Sequence, residues 1–312
     1  MIIQFTFEPK PKMQKQLIET FTQHEFLFAK GTAPRPDTEI WVTYGEDVTK
    51  ETVAALPQLK WISVASAGIE KMPLVYLSDR QIHVTNARGI HKTPMAESIV
   101  GHILSLYRSL PAIYQLNEKK EWDKPKGSRE LRGETALILG PGAIGAEVAR
   151  LLTAFGVHII ACNRSGNSVE EAEQTIRLDE LTNYLGEANI VLSLLPSTNE
   201  TRHLLTNEHF EIMKEDVIFM NFGRGDVVAE KHLVAALESS PKRHAVLDVF
   251  EVEPLPPTSK LWQLENAIIS PHISSHSAFY VERAMEIFSE NLSKWESGDT
   301  KLRNLVDLKA GY

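Results

Sequence analysis

Six consecutive residues, Gly140-Pro141-Gly142-Ala143-Ile144-Gly145, have the types and spacing to hold a dinucleotide. Glycines there permit a tight turn, close approach of the backbone to a pyrophosphate and close packing of helix on strand, while unpaired N–H groups at a helix N-terminus meet the anion's charge. After the next predicted strand a carboxylate usually accepts from the adenosine ribose. This chain reads Cys162-Asn163-Arg164-Ser165 instead. Asn163 lacks the charge that would repel a 2′-phosphate, and Arg164 and Ser165 can donate to one, so NADP(H) is expected ahead of NAD(H).

Arg224 stands between Gly223 and Gly225, just after the apolar run Val217 to Asn221, where open α/β sheets place their ligands. Its planar fork suits a carboxylate; the competing reading is a solvated loop charge. Among eleven histidines, His272 follows the apolar run Ala267 to Ile269 directly, within Ser270-Pro271-His272-Ile273, with His91 and His276 as rivals. Glu253, beside Pro254, is the carboxylate expected to orient its ring and hold it ready as a proton donor.

The elements that must position these groups are legible in the periodicity. Ile2 to Phe7, Ile40 to Tyr44, Trp61 to Ala65 and Ile82 to Thr85 predict strands, with a helix over Met13 to Phe21. A long amphipathic stretch runs from Pro94 through Ile99, Ile103, Leu106 and Leu110 before a polar segment, Asn117 to Arg129. Thr135 to Leu139, Ile144 to Phe155 and Val157 to Ala161 then form a βαβ unit. Further strands are predicted at Ile190 to Leu194, Val217 to Asn221, Ala245 to Val249 and Ala267 to Ile269, with a helix over Lys231 to Leu237, and a last helix spans Phe279 to Trp295. The fold class is therefore α/β with two doubly wound domains. The cofactor domain, 98–283, is expected to be inserted into a discontinuous substrate domain, 1–97 with 284–312.

Composition narrows the function classes. The chain has 312 residues, with 33 basic against 41 acidic side chains and a net charge of −8. That balance, without a basic run, argues against nucleic-acid or anionic-membrane partners. The single Cys162 can form no internal disulfide and supplies no cluster for a metal, so no metal site and a reducing compartment are expected. Without a signal-peptide pattern or an apolar run near 18 residues, a cytoplasmic location is the expectation.

Taken together, these segments resemble the D-isomer-specific 2-hydroxyacid dehydrogenases along essentially the whole chain. The matching pieces are Ser66-Ala67-Gly68-Ile69-Glu70, Asn86-Ala87-Arg88-Gly89, Ala96-Glu97, the glycine run, Leu195-Pro196 with Thr201, Asn221 to Gly225, Leu247 to Pro254, and Pro271-His272-Ile273. The resemblance implies a Rossmann domain inserted into a flavodoxin-like one, and catalysis by Arg224, Glu253 and His272. It implies that Arg224 holds the substrate carboxylate and polarises its keto group, with His272 as acid/base. It further implies backbone N–H groups of Ala67 and Gly68 on the carboxylate, and Asp248 and the Phe222 carbonyl on the nicotinamide amide. Leu195, Pro196, Thr201 and Ser274 fall to the cofactor's surroundings, and the partner is a second copy of the chain packed through the cofactor domains.

The expected reaction is NADPH-dependent reduction of a small 2-keto acid, glyoxylate or hydroxypyruvate, to the D-2-hydroxy acid. A short 3-phosphoglycerate dehydrogenase would need a phosphate site, for which Arg88 or Lys92 are the candidates. A reading from another class is a dinucleotide-sensing, corepressor-like interaction protein. Ser274 and Ser275 stand where many members place Ala or Gly.

Overall fold

A computed structural model describes residues 1–69, 71–125 and 127–308, so Glu70 of the Ser66–Glu70 segment lies outside it. The chain divides into two compact units, 1–90 with 277–312, and 91–276.

The first unit contains β1 (Ile2–Phe5), α1 (Pro11–Thr20), β2 (Glu25–Phe28), β3 (Ile40–Thr43), α2 (Lys50–Ala54), β4 (Trp61–Val64), α3 (Leu74–Asp79) and β5 (His83–Asn86). Its strands form a parallel five-stranded sheet in the order β2-β1-β3-β4-β5, the flavodoxin-like arrangement. Every residue of β3 and β4 is buried, as expected of parallel strands covered on both faces. Side chains alternate between two cores. Ile40, Val42 and Trp61 pack with one, while Trp41, Ile62 and Val64 pack with the other, beneath α2 and α3.

The second unit opens with α4 (Lys92–Tyr107) and α5 (Leu110–Lys119), followed by β6 (Thr135–Leu139), α6 (Ala143–Ala154), β7 (His158–Asn163), β8 (Gln174–Arg177) and β9 (Ile190–Ser193). It continues with α7 (Asn207–Ile212), β10 (Ile218–Asn221), α8 (Glu230–Ser239), β11 (His244–Leu247) and β12 (Ala267–Ile269). All neighbours are parallel, in the order β12-β11-β10-β9-β6-β7-β8. This is the doubly wound dinucleotide-binding order, whose switch point falls between β6 and β9. Val148, Ala149 and Leu152 of α6 pack with Ala96, Ile99 and Ile103 of α4.

The last helix, α9 (Tyr280–Glu296), returns to the first unit, burying Ala284, Ile287, Phe288 and Leu292 against the core that holds Phe5 and Trp61. Val306 N donates to Val84 O at 2.8 Å, and Asn304 Nδ2 donates to Asn86 O at 3.0 Å, fastening the following segment to β5.

Several sequence expectations differ from this arrangement. The junctions fall at 90/91 and 276/277 rather than 97/98 and 283/284, because a helix moves as one piece: α4 belongs entire to the second unit and α9 to the first. The single amphipathic stretch is two helices, broken at Ser109, which adopts a left-handed φ of 54° ahead of Pro111. Two edge strands, β2 and β8, were not foreseen; β2 has no fully buried residue and β8 buries only Ile176. Among the described residues no helix is long and apolar enough to cross a membrane.

Candidate active site

At the switch point β6 runs into Gly140, whose φ of +80° favours glycine, and a Cβ there would stand 3.0 Å from the Leu194 carbonyl oxygen after β9. Gly145 sits equally close to its surroundings, its would-be Cβ 3.2 Å from Ile138 Cγ2. Gly142, the N-cap of α6, has nothing within 4 Å of that position. The first N–H groups of α6, from Ala143 onward, have no side-chain cap. Two glycines thus serve backbone packing and the third leaves room for a ligand, so the cradle fits a pyrophosphate.

At the end of β7, Asn163 shapes its own loop. Its Oδ1 accepts from Gly166 N at 2.6 Å and from Ser165 Oγ at 3.2 Å, and its Nδ2 donates to the Asn167 carbonyl at 2.8 Å. Ser165 Oγ also accepts from Asn167 N. Of the two groups expected to meet a 2′-phosphate, Ser165 is thus spent within the turn and Arg164 remains, exposed. Cys162 just before them is buried and inert as a nucleophile: burial, with the charges of Glu180 and Asp179, pushes its thiol up to about 12.

Leu195 is buried, and Thr201 Oγ1 donates to the Pro196 carbonyl at 2.6 Å, so Thr201 is a loop-shaping residue. Gly223 and Gly225 turn out to serve close loop packing. A Cβ on Gly223 would lie 2.5 Å from Leu195 O, and one on Gly225 would lie 1.9 Å from the Phe250 carbonyl carbon. Asn221 fixes the turn between them, donating through Nδ2 to the Arg224 carbonyl at 3.0 Å and accepting from Gly223 N at 3.3 Å. Arg224 is exposed, has its Nη1 on Gly223 O at 2.9 Å and pairs with no carboxylate among the described residues.

The loops after β11 and β12 meet at His272. Its Nδ1 lies 2.7 Å from Glu253 Oε2, and Glu253 Oε1 in turn accepts from Phe250 N at 3.0 Å. Among the described residues His24, His158 and His203 also pair with glutamates, so pairing alone does not single out His272. Its place just beyond the carboxyl end of β12 does; a left-handed backbone does not, since His203 has a φ of 50° beside the 54° of His272.

Asp248 is the buried anchor of that turn. Its carboxylate accepts from Ser270 Oγ at 2.6 Å, from Ile273 N at 3.0 Å, and from the Ser274 N–H and hydroxyl, while its own N–H donates to Asn221 O at 3.0 Å. Ser274 therefore points its hydroxyl at Asp248. In the sequence Ser270 carries no role and Asn221 only a place in a motif; the available signal was a polar residue closing an apolar run within two positions of a Pro or Gly. Phe222 is buried, 6.2 Å from the His102 ring, whose pKa burial lowers.

In the first unit, Asn86 Nδ2 donates to the Ala67 carbonyl at 2.9 Å, and Ser66 Oγ donates to Tyr44 O at 3.0 Å. Gly68 is exposed and lines a cavity of about 400 Å³ with Tyr44, Ser66, Ile69 and Met72. Lys92, a candidate for a substrate phosphate, is paired with Glu147 at 3.3 Å.

Residues 100–274 match the family model described as D-isomer specific 2-hydroxyacid dehydrogenase, NAD binding domain. A glyoxylate reductase of Thermofilum pendens is 33% identical over 79% of this chain and 75% of its own. A D-3-phosphoglycerate dehydrogenase of Methanocaldococcus jannaschii is 30% identical over 86% of this chain, which spans 51% of that longer relative. Among solved structures, a D-isomer specific 2-hydroxyacid dehydrogenase family protein from Aeromonas salmonicida superposes with a TM-score of 0.84 at 31% identity, covering 98% of this chain and 99% of that one.

Proposed function

Since the chain belongs to the D-isomer-specific 2-hydroxyacid dehydrogenases, NAD(P)-dependent enzymes acting on the CH–OH group of donors, we propose that it reduces small 2-keto acids, glyoxylate and hydroxypyruvate foremost, with NADPH preferred to NADH. The observation that carries this reading is an exposed guanidinium without a carboxylate partner, Arg224, in the same unit and at the same kind of strand end as the His272–Glu253 pair. An anionic, proton-accepting substrate supplies what both groups lack.

The glycine cradle would hold the pyrophosphate of the dinucleotide, which when bound would supply the hydride. Arg224 holds the substrate carboxylate and offsets the negative charge that develops on the C2 oxygen. His272 gives its Nε2 proton to that oxygen, while Glu253 on Nδ1 fixes the ring's orientation. The Ala67 and Gly68 N–H groups are proposed to bind the carboxylate as well. For the cofactor amide, the Phe222 carbonyl is the better-supported partner, because the oxygens of Asp248 already serve Ser270, Ile273 and Ser274.

Initial rates of NADPH and NADH against a panel of 2-keto acids test the reading, with the highest kcat/KM expected for NADPH with glyoxylate or hydroxypyruvate. Faster turnover of phosphorylated hydroxypyruvate would replace it with the phosphoglycerate reaction. Cofactor binding without turnover of any acid would favour the interaction protein. Arg164→Asp is expected to move the NADPH/NADH ratio of kcat/KM about 100-fold toward NADH, equivalent to about 2.7 kcal/mol of charge-assisted bonding. An unchanged ratio would refute the assignment of Arg164.

A homodimer packed through the second unit is part of the same proposal. Its support is α5, which has no buried residue and exposes Ile113 and Tyr114 ahead of a fully exposed Trp122. Sedimentation at the mass of two chains is expected, and a strict monomer would overturn it.

A further inference from the structure

The Arg164 loop has a second cation beside it that no sequence motif announces. Arg177 ends β8 directly opposite Asn163 in the parallel ladder. Its side chain crosses the loop at Gly166, where φ is +72°: a Cβ on that glycine would stand 2.8 Å from Arg177 Cγ and 3.6 Å from Cδ. The aliphatic stem is therefore laid against the cofactor loop, and the guanidinium is the part left free to turn.

In the structure that guanidinium is engaged by Asp179, with Nε 3.0 Å from Oδ1 and Nη2 3.2 Å from Oδ2. The two side chains are 55% and 66% exposed, so water screens the pair. Glu180, the neighbouring carboxylate, is occupied differently, accepting from the Arg177 backbone N–H at 2.8 Å. Asp179 thus holds the Arg177 charge by an exchangeable contact.

A phosphate monoester carries about −1.5 to −2 charges at neutral pH, more than Arg164 alone neutralises. We propose that Arg177 is a second, specificity-determining cation for the 2′-phosphate of NADP(H), and that its guanidinium leaves Asp179 to meet it. Asp179 is then the residue that restrains the preference, since its charge competes with the phosphate for the same fork. This inference rests on the NADP(H) reading of the Arg164 loop and adds to it a residue on a different strand.

Equilibrium binding of NADP⁺ and NAD⁺, measured by calorimetry without substrate, tests it on ligands that differ only by the 2′-phosphate. The wild type should bind NADP⁺ more tightly. Arg177→Leu is expected to raise the NADP⁺ Kd about tenfold and leave that of NAD⁺ within about twofold. Asp179→Asn should lower the NADP⁺ Kd about threefold, and should have no such effect in the Arg177→Leu background. Retained NAD⁺ affinity shows that each variant is folded; should Arg177→Leu lose it, Arg177→Gln takes its place. If the Arg177 variants leave the NADP⁺/NAD⁺ ratio at the wild-type value while Arg164→Asp lowers it, Arg177 has no part in the preference and the cofactor reading stands without it. If the wild type shows no preference for NADP⁺, the cofactor reading fails and this inference with it.

Discussion

His272→Gln is expected to lower kcat/KM for a 2-keto acid by about 1,000-fold, while cofactor affinity and the thermal midpoint stay near wild type. Glutamine fills much of the space and keeps a hydrogen-bonding group, but it cannot deliver a proton to a developing alkoxide. The loss should appear in kcat, because the proton is needed as hydride arrives and not when the substrate binds. Glu253→Gln should fall between this variant and the wild type, since it leaves the imidazole in place and weakens the carboxylate's two contacts, to His272 Nδ1 at 2.7 Å and from Phe250 N at 3.0 Å, that orient it. Near wild-type turnover in His272→Gln would remove the histidine from the chemistry, whatever else the site does.

The second large effect is expected at Arg224. Arg224→Gln should lower kcat/KM by about 100- to 1,000-fold, with a raised KM for the keto acid and a reduced kcat together. Both parameters move because the same guanidinium holds the substrate carboxylate throughout and meets additional charge on the C2 oxygen in the transition state. Arg224→Lys should recover little of this, as an ammonium cannot form two parallel bonds to a carboxylate. A KM effect with kcat unchanged would confine Arg224 to binding and transfer charge stabilisation to other donors.

The parts of this site that the sequence made legible are those whose meaning is local. The glycine run, Arg224 between glycines and His272 after an apolar run can be read from one stretch of chain, and the order of predicted strands was enough to assign a doubly wound sheet to the middle of the chain and α/β texture to its beginning. Partner choice was not legible. Ser165 was expected at a phosphate, yet its hydroxyl is used by Asn163, because a turn that closes on itself competes for short polar side chains. Thr201 bonds to the Pro196 carbonyl for the same reason. Arg177 could not be connected with the cofactor loop without knowing that an unremarked edge strand pairs with β7. That strand was invisible because only one of its side chains is buried, which leaves no alternation to detect.

The glycines around Arg224 have one more consequence, for how such a site can change over time. Loops usually accept insertions and altered side chains more readily than the strands they connect. Here the turn at Arg224 touches the Leu195 backbone on one side and the Phe250 backbone on the other, each closer than a single methyl group would allow. The Phe250 loop in turn grips His272 through Glu253, and Asp248 just before it holds the neighbouring Ile273 N–H. Strand-end loops that look independent in the chain therefore behave as one rigid die, in which no member can be lengthened or recut without displacing the next. Variation in what the protein accepts as substrate has to be found in surfaces outside that die.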